Sequence, residues 1–476
     1  MTERDWIVQK FGGTSVGKFP IKIAKEIIDV YEKENRVVVV CSARSNNIKS
    51  QGTTTCLIRA AEYSVDRKDF KGVIEGIQDD HLNASRAAIS SDHLEIREEL
   101  ERQVISECAN VTRILEATNI LDEVSDRTMD LVLSVGERLA CLFMVSVLKS
   151  IGKKAELVDL TRVVSTSTLD INSSSQDFYD HLRTRISSQV EEVARDGAIP
   201  VVTGFFGLVP GGLINAVGRG YTDLCAALCA VGLGAKELQI WKEVDGIFTA
   251  DPRKVPEARL LPQISPEEAA ELTYYGSEVI HPFTMDQVIR AHIPIRIKNV
   301  MNPPGEGTKV FPVELTDAAE NQLLNRGPTA ITSKSNIIVL NIVSNRTRQS
   351  HGFLAQVFGI LDKWRLVVDL ISTSEVHVSM AIHEAAPDAA LVEALKAIRK
   401  FSSVEVTDGL SIVSLVGTEM RHNIGIAAKM FSTLSEIGVN IEMISQGSSE
   451  INISCVIHAS EVSKALKSLH LQLLSR

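Results

Sequence analysis

Lys10 closes the apolar run Trp6-Ile7-Val8-Gln9-Lys10-Phe11 and stands directly before Gly12-Gly13-Thr14-Ser15. A charge in the last residues of a buried strand is out of place without an anionic partner, although a lone lysine there can also snorkel to the surface. The glycine pair favours a ligand, because bare backbone leaves amides open to an anion, with two hydroxyls beside them. Cation, amides and hydroxyls at the carboxyl end of a strand describe a phosphate cradle. The overlapping run Gly12-Gly13-Thr14-Ser15-Val16-Gly17-Lys18-Phe19 satisfies G-x-x-x-x-G-K, but Phe19 stands where a P-loop needs a hydroxyl for magnesium. Pro20 predicts that the following helix starts there, which would leave Lys18 in a loop.

Four further segments carry candidate chemistry. Ser42-Ala43-Arg44 follows Val37 to Val40, four valines that read as a strand covered on both faces. Thr53-Thr54-Thr55 opens the next helix, where hydroxyls cap or orient ligands. Glu137 follows Gly136 inside an apolar helical stretch. It either pairs with Arg138 on a wetter strip or is a buried acid that awaits an ammonium group. Gly218-Arg219-Gly220-Tyr221-Thr222-Asp223 precedes an uncharged helix over residues 224–232, and a helix start beside a guanidinium suits a carboxylate. Gly218-x-Gly220 also opens like a dinucleotide fingerprint, but Asp223 occupies its last glycine position. The loop from Glu243 to Arg253 contains the tight-turn pairs Asp-Gly and Asp-Pro, and with Phe248 and Arg253 it could hold a base and phosphates.

The elements that must position these residues alternate in the first three hundred positions. Strands are expected at residues 6–11, 37–40, 155–158, 199–203, 238–241 and 293–297, separated by helical patterns that include a long one over 127–150. Ile21, Ala24, Ile27, Ile28 and Tyr31 keep a 3.6-residue period for the first helix. A mainly parallel sheet between two helical layers is the economical arrangement. From Asn302 to Asn336 the sequence turns to Pro303-Pro304-Gly305-Glu306-Gly307 and a polar mixture, which marks a domain boundary.

Beyond the boundary lies an internal repeat. Gly352-Phe353-Leu354-Ala355-Gln356-Val357-Phe358 matches Gly425-Ile426-Ala427-Ala428-Lys429-Met430-Phe431 at an offset of 425 − 352 = 73. Ile382-His383 matches Ile457-His458 at 75, so one turn has two extra residues. Each unit reads strand, helix, strand, turn, strand, helix, a ferredoxin-like module. The strand near Val404 to Val406 could complete either one.

The chain has 476 residues, enough for about three domains. With 44% apolar and 23% charged residues it has the composition of a globular protein. Its net charge of −10 provides no bulk field for nucleic acid or anionic lipid, so an anion site must be locally positive. Seven cysteines without a C-x-x-C suggest neither a disulfide framework nor a zinc site, and fit a reducing compartment. Residues 131–148 and 197–218 are apolar, but Glu137-Arg138 in one and Pro200 and Pro210 in the other mark buried core segments rather than membrane spans. The amino terminus lacks the apolar stretch of a signal peptide, so a cytoplasmic location is expected.

Taken together, Lys10 to Val16, Ser134-Val135-Gly136-Glu137, Gly218-Arg219-Gly220 with Thr222-Asp223, Val244-Asp245-Gly246 to Asp251-Pro252-Arg253, Gly352-Phe353-Leu354 and Thr373-Ser374-Glu375 closely resemble aspartate kinases, over essentially the whole chain. The nearest likeness is to monofunctional, fungal-type members. The resemblance implies an α/β/α amino-acid-kinase domain over residues 1–315, a linker over 316–335, and two ferredoxin-like βαββαβ ACT modules over 336–409 and 410–476. It implies that Lys10 and Asp223 are catalytic and that Ser42, Thr54, Glu137, Phe205, Arg219 and Thr222 line the aspartate pocket. Within that pocket Glu137 would take the α-ammonium and Arg219 the α-carboxylate. Gly12, Gly13, Thr14, Ser15, Lys242, Phe248 and Arg253 would contact ATP, with Mg²⁺ carried by the nucleotide and no resident metal. His351, Gly352, Phe353, Asp369, Ser374 and Glu375 fall where the family binds an amino-acid effector, with threonine expected ahead of lysine. A homodimer or higher oligomer through the ACT modules follows from the same resemblance. Many bacterial members have Thr-Asp where this chain has Lys242-Glu243, and a lysine where it has Glu278. A kinase acting on another amino acid, such as glutamate, and a non-catalytic amino-acid sensor are the alternatives.

Overall fold

Runs of β-branched residues build the first sheet. The chain, described here by a computed structural model, is defined at residues 4–45, 51–164, 176–209, 211–218, 220–276, 280, 282–311, 327–344, 352–374, 377–383, 388–418, 420, 423–447 and 451–475. It divides into two compact units, residues 1–246 with 280–311, and residues 247–279 with 312–476. The segment 247–279, expected in the first domain, thus clusters with the second unit.

In the first unit the strands run in the order Ala155–Val158, Ile199–Thr203, Arg36–Cys41, Trp6–Phe11, Glu237–Lys242, Ile295–Asn299 and Thr308–Val310. Every neighbouring pair is parallel except the last, which is antiparallel. Val37 to Val40 are all buried, as a strand covered on both faces requires. Helix Asp126–Ser150 packs on the strands Arg36–Cys41, Ala155–Val158 and Ile199–Thr203, while helix Tyr221–Gly232 packs on Trp6–Phe11 and Glu237–Lys242. Helix Asp126–Ser150 is long and apolar enough to cross a membrane, but here 83% of its most apolar window is buried inside the fold, as a core helix. All seven cysteines are free and buried.

Two local expectations are corrected near Lys10. The helix does not wait for Pro20: Gly13–Lys18 is already helical, and Pro20 begins a second helical segment. That segment continues as a π-helical stretch, Ile23–Ile28, between α-helical residues. The expected period holds at Ala24, Ile27 and Ile28, which are buried, but Ile23 joins them at the wider π turn while Ile21 and Tyr31 are only half buried.

The second unit holds an antiparallel sheet in the order Val368–Thr373, His377–His383, Ala330–Ser344, Ser402–Val416, Asn452–His458 and Met443–Ser445. The repeat is plain in its helices. Phe353–Lys363 and Ile426–Glu436 are each 11 residues, and each is preceded by a glycine with φ of 82° or 89°, a left-handed conformation that other residues adopt only with strain.

The two modules are not separate along the chain. The long central strands are shared, with residues 337–344 of one pairing with 402–410 of the other, and residues 330–334 pairing with 412–416. Val404 to Val406 therefore complete the first module. The second module draws its matching strand from residues 330–334, which the sequence placed in the linker. Composition marked the preceding stretch as linker, but Ala330, Ile331 and Thr332 are buried and bonded into the sheet.

Candidate active site

Parallel pairing aligns four strand ends in the first unit. Phe11 lies beside both Cys41 and Trp241, and Cys41 beside Thr203, so Lys10, Ser42, Gly204 and Lys242 cluster at one carboxyl edge. The chain leaves the central strand Trp6–Phe11 toward one neighbour and returns on its other side, which is the switch point where open α/β sheets bind ligands.

Lys10 is not a snorkelling residue. Its Nζ lies 2.8 Å from Asp223 Oδ1, and the side chains are only 12% and 15% exposed. Asp223 sits in the first turn of helix Tyr221–Gly232, where the partly positive helix end also favours a carboxylate. The glycine turn brings its own constraint. A Cβ on Gly13 would lie 1.9 Å from the carbonyl oxygen of Ala43, whereas a Cβ on Gly12 would meet nothing within 4 Å. The close approach lets Gly13 O accept the Ser45 N–H at 3.0 Å, while Phe11 O accepts the Ser42 N–H at 3.1 Å. Thr14 is half buried and Ser15 buried beside them.

Lys18 closes the short helix and points to Glu243, 3.4 Å away. It is the last helical residue, not a loop residue, yet it is no P-loop lysine, since it lies at the carboxyl end of its helix.

The loop after Ser42 is fastened to the helix that carries Thr54. The Arg44 carbonyl accepts from both the Thr53 N–H at 3.1 Å and the Thr53 hydroxyl at 2.8 Å. The Arg44 guanidinium is buried and bonded to Asp80.

Glu137 resolves one choice left open by the sequence. Arg138 pairs with Glu107 at 2.9 Å and Asp159 at 3.2 Å, while Glu137 is 1% exposed and has no ion-pair partner among the described residues. The Tyr221 hydroxyl donates to Glu137 Oε1 at 2.5 Å, and Oε2 has no hydrogen-bond partner among the described residues. Burial pushes the carboxyl up to about 7, against the bonds from Tyr221 and the backbone at Ala43, which pull it down. Tyr221 in turn is held well above its usual range by burial and by the neighbouring acid, against the Thr54 hydroxyl, which pulls it down. The buried Phe205 ring stands edge-on to Tyr221, with centroids 5.9 Å apart. Thr222 is buried against Gly204, where a Cβ would come within 2.5 Å of its methyl carbon.

Lys10, Gly12, Gly13, Thr14, Ser15, Ser42, Thr54, Glu137, Phe205, Thr222, Asp223 and Lys242 all belong to the first unit. Arg219 lies outside the described residues. Phe248 and Arg253 belong to the second unit, where Arg253 is 88% exposed and bonded to Asp251. Tyr221 is not among the sequence-derived site residues, yet it bonds to one of them, Glu137. It stood in the quoted glycine-bracketed motif, but its target Glu137 is 84 positions away.

Of the effector candidates, Gly352 caps its helix and Phe353 is a core side chain, its ring edge-on to Phe401. Asp369 is paired with Lys334 at 2.6 Å, and the Ser374 N–H closes a turn onto His377 O at 2.9 Å. His351 and Glu375 lie outside the described residues.

The amino acid kinase family matches residues 5–299, and an ACT domain matches residues 413–473. The chain is 51% identical to the aspartokinase of Schizosaccharomyces pombe and 52% identical to that of Saccharomyces cerevisiae, in each case over 99% of this chain and 93% of the relative. Escherichia coli aspartokinase III, solved with aspartate and ADP in its R-state, superposes with a TM-score of 0.75 at 29% identity, covering 98% of this chain and 99% of that one. The same enzyme with lysine and aspartate in its T-state gives 0.77 at 28% identity, with the same coverage. The chain therefore belongs to the amino acid kinase family, and within it to the aspartate kinases.

Proposed function

We propose that the enzyme transfers the γ-phosphoryl group of ATP to the β-carboxylate of L-aspartate, giving 4-phospho-L-aspartate and ADP, with Lys10 as the cation that makes the approach of two anions possible. The observation that carries this reading is the Lys10–Asp223 pair, 2.8 Å apart, at the carboxyl edge of the central strand. The β-carboxylate, with an ordinary pKa near ~3.9, is ionised at neutral pH, so no general base is needed. What the reaction requires is position and charge stabilisation. Lys10 supplies charge to the transferring group, beside the backbone of Gly12 and Gly13 and the hydroxyls of Thr14 and Ser15. Asp223 orients the Lys10 ammonium and the reacting groups. Glu137 receives the substrate's α-ammonium, Arg219 its α-carboxylate, and Ser42, Thr54, Phe205 and Thr222 shape the pocket.

ATP carries Mg²⁺ as part of the substrate, and Lys242 belongs to the nucleotide side. The bound ADP and aspartate of the Escherichia coli relative support this pairing of substrates. The product is an acyl phosphate, which fits a committed first step toward threonine and methionine, and more weakly lysine, in the cytoplasm. The tandem ACT modules support feedback control by one of these end products, threonine foremost, exerted through a homodimer or larger oligomer joined at the modules.

A hydroxamate assay for the acyl phosphate tests the reading. Lys10→Ala is expected to lose about a thousandfold or more in kcat with the fold intact, and Lys18→Ala at most a few-fold. The reverse ranking would restore the P-loop assignment and remove this one. Repeated with saturating threonine and then lysine, the assay is expected to show inhibition by threonine; unchanged activity would remove that effector.

A further inference from the structure

Glu137 is a carboxylate with one oxygen satisfied and one not. Helix Asp126–Ser150 buries it among apolar residues, and among the described residues no cation pairs with it. The described side chain that bonds to it is Tyr221, whose hydroxyl donates to Oε1 at 2.5 Å. A phenol has one proton to give, and Tyr221 gives it to Glu137. The ring is fixed by burial and by its edge-on contact with Phe205. Tyr221 begins the helix that two residues later presents Asp223 to Lys10. One helical turn thus couples the carboxylate that awaits a cation to the lysine of the transfer step.

We propose that Tyr221 is a positioning residue for substrate selection: by holding Oε1 of Glu137 it turns the free Oε2 toward the α-ammonium of the incoming amino acid. This rests on the assignment of Glu137 to the substrate ammonium. Loss of the hydroxyl frees the carboxylate to rotate or to remain protonated, and the penalty falls on binding of the amino acid rather than on phosphoryl transfer. Roughly a tenfold rise in KM is the scale expected for losing a hydrogen bond to a charged group.

The test is a double-mutant cycle read by steady-state kinetics on the full-length enzyme. Tyr221→Phe removes one oxygen and keeps the ring. It is expected to raise the KM for aspartate about tenfold while the KM for ATP stays within twofold and kcat changes less than the aspartate KM. Glu137→Gln alone is expected to raise the aspartate KM at least as much, and Tyr221→Phe added to Glu137→Gln to produce little further change, because the two act as one unit.

If Glu137→Gln leaves the aspartate KM unchanged, the ammonium assignment fails and the proposal with it. If Glu137→Gln raises that KM but Tyr221→Phe does not, or if Tyr221→Phe acts equally strongly when combined with Glu137→Gln, the role of Tyr221 alone is refuted. A parallel loss of kcat and of both KM values in Tyr221→Phe would mark a purely structural residue, and would equally overturn it.

Discussion

At the residue scale, two side chains are chemically out of place in their surroundings. Lys10 in an apolar strand and Glu137 in an apolar helix both violate burial rules, and each proves to have a specific partner at the carboxyl edge of the sheet. Tyr221 violated nothing, since a half-polar aromatic suits a helix start, so only the fold could join it to Glu137.

The unsatisfied acid has a measurable consequence. The folded chain holds Glu137 near 7, against an ordinary value of 4.5. Between those values the folded state keeps a proton that the unfolded state releases, so this group's contribution to stability falls as pH rises through that window. Glu137→Gln removes the buried charge and is therefore expected to raise the thermal midpoint of the ligand-free enzyme at pH 8. The gain is on the order of 1–3 kcal/mol, or several degrees at roughly 2–4 °C per kcal/mol. At pH 5, where Glu137 is already neutral in the folded chain, the two midpoints should nearly coincide. Saturating aspartate should shrink the difference at pH 8 by supplying the missing cation to the wild type. Differential scanning fluorimetry at the two pH values, with and without aspartate, reads all three outcomes; an equal effect at pH 5 and pH 8 would detach it from ionisation.

At the element scale, strands were easier to read than helix starts. The strands at residues 6–11 and 199–203 fall where apolar runs placed them, because a strand covered on both faces writes itself as a nearly continuous run. The first helix was misplaced because Pro20 is a strong start signal, and it does start a segment; the turn before it is held helical by tertiary contact. That contact is the seat of Gly13 against Ala43, and it separates the two glycines that look equivalent in sequence. Gly13→Ala would put a Cβ 1.9 Å from the Ala43 carbonyl oxygen, so either the turn or the Ser42–Ser45 loop must move. Gly12 has open space and a φ of −70°, which alanine adopts freely. Gly13→Ala is accordingly expected to lower the thermal midpoint by several degrees, an overpacking cost of about 1–3 kcal/mol, and to cut activity by at least tenfold. Gly12→Ala should keep the midpoint within a degree or two of wild type. Equal destabilisation by the two substitutions would show that the close approach to Ala43 does not hold this turn.

At the scale of the whole molecule, the repeat was legible and its interleaving was not. An offset of 73 residues predicted two copies of one module, and the matching glycine caps and helices follow it, but periodicity says nothing about which copy a shared strand serves. The sequence boundary at residue 336 would cut Ala330–Ser344 in two and discard residues 330–334, which pair with 412–416. Without that segment the core face of the second module loses Ile331, and the backbone of Ile412, Val413, Ser414, Leu415 and Val416 becomes an unpaired apolar edge. Such an edge is a template for association. Two fragments of the regulatory half distinguish the readings: residues 328–476 are expected to be the more soluble and to unfold at the higher temperature, and residues 336–476 to aggregate or to unfold without a cooperative transition. Both would be compared by size-exclusion chromatography and circular dichroism at equal concentration. Identical behaviour would mean that the second module completes its sheet without the strand that precedes the first, and the two modules would then be independent units after all.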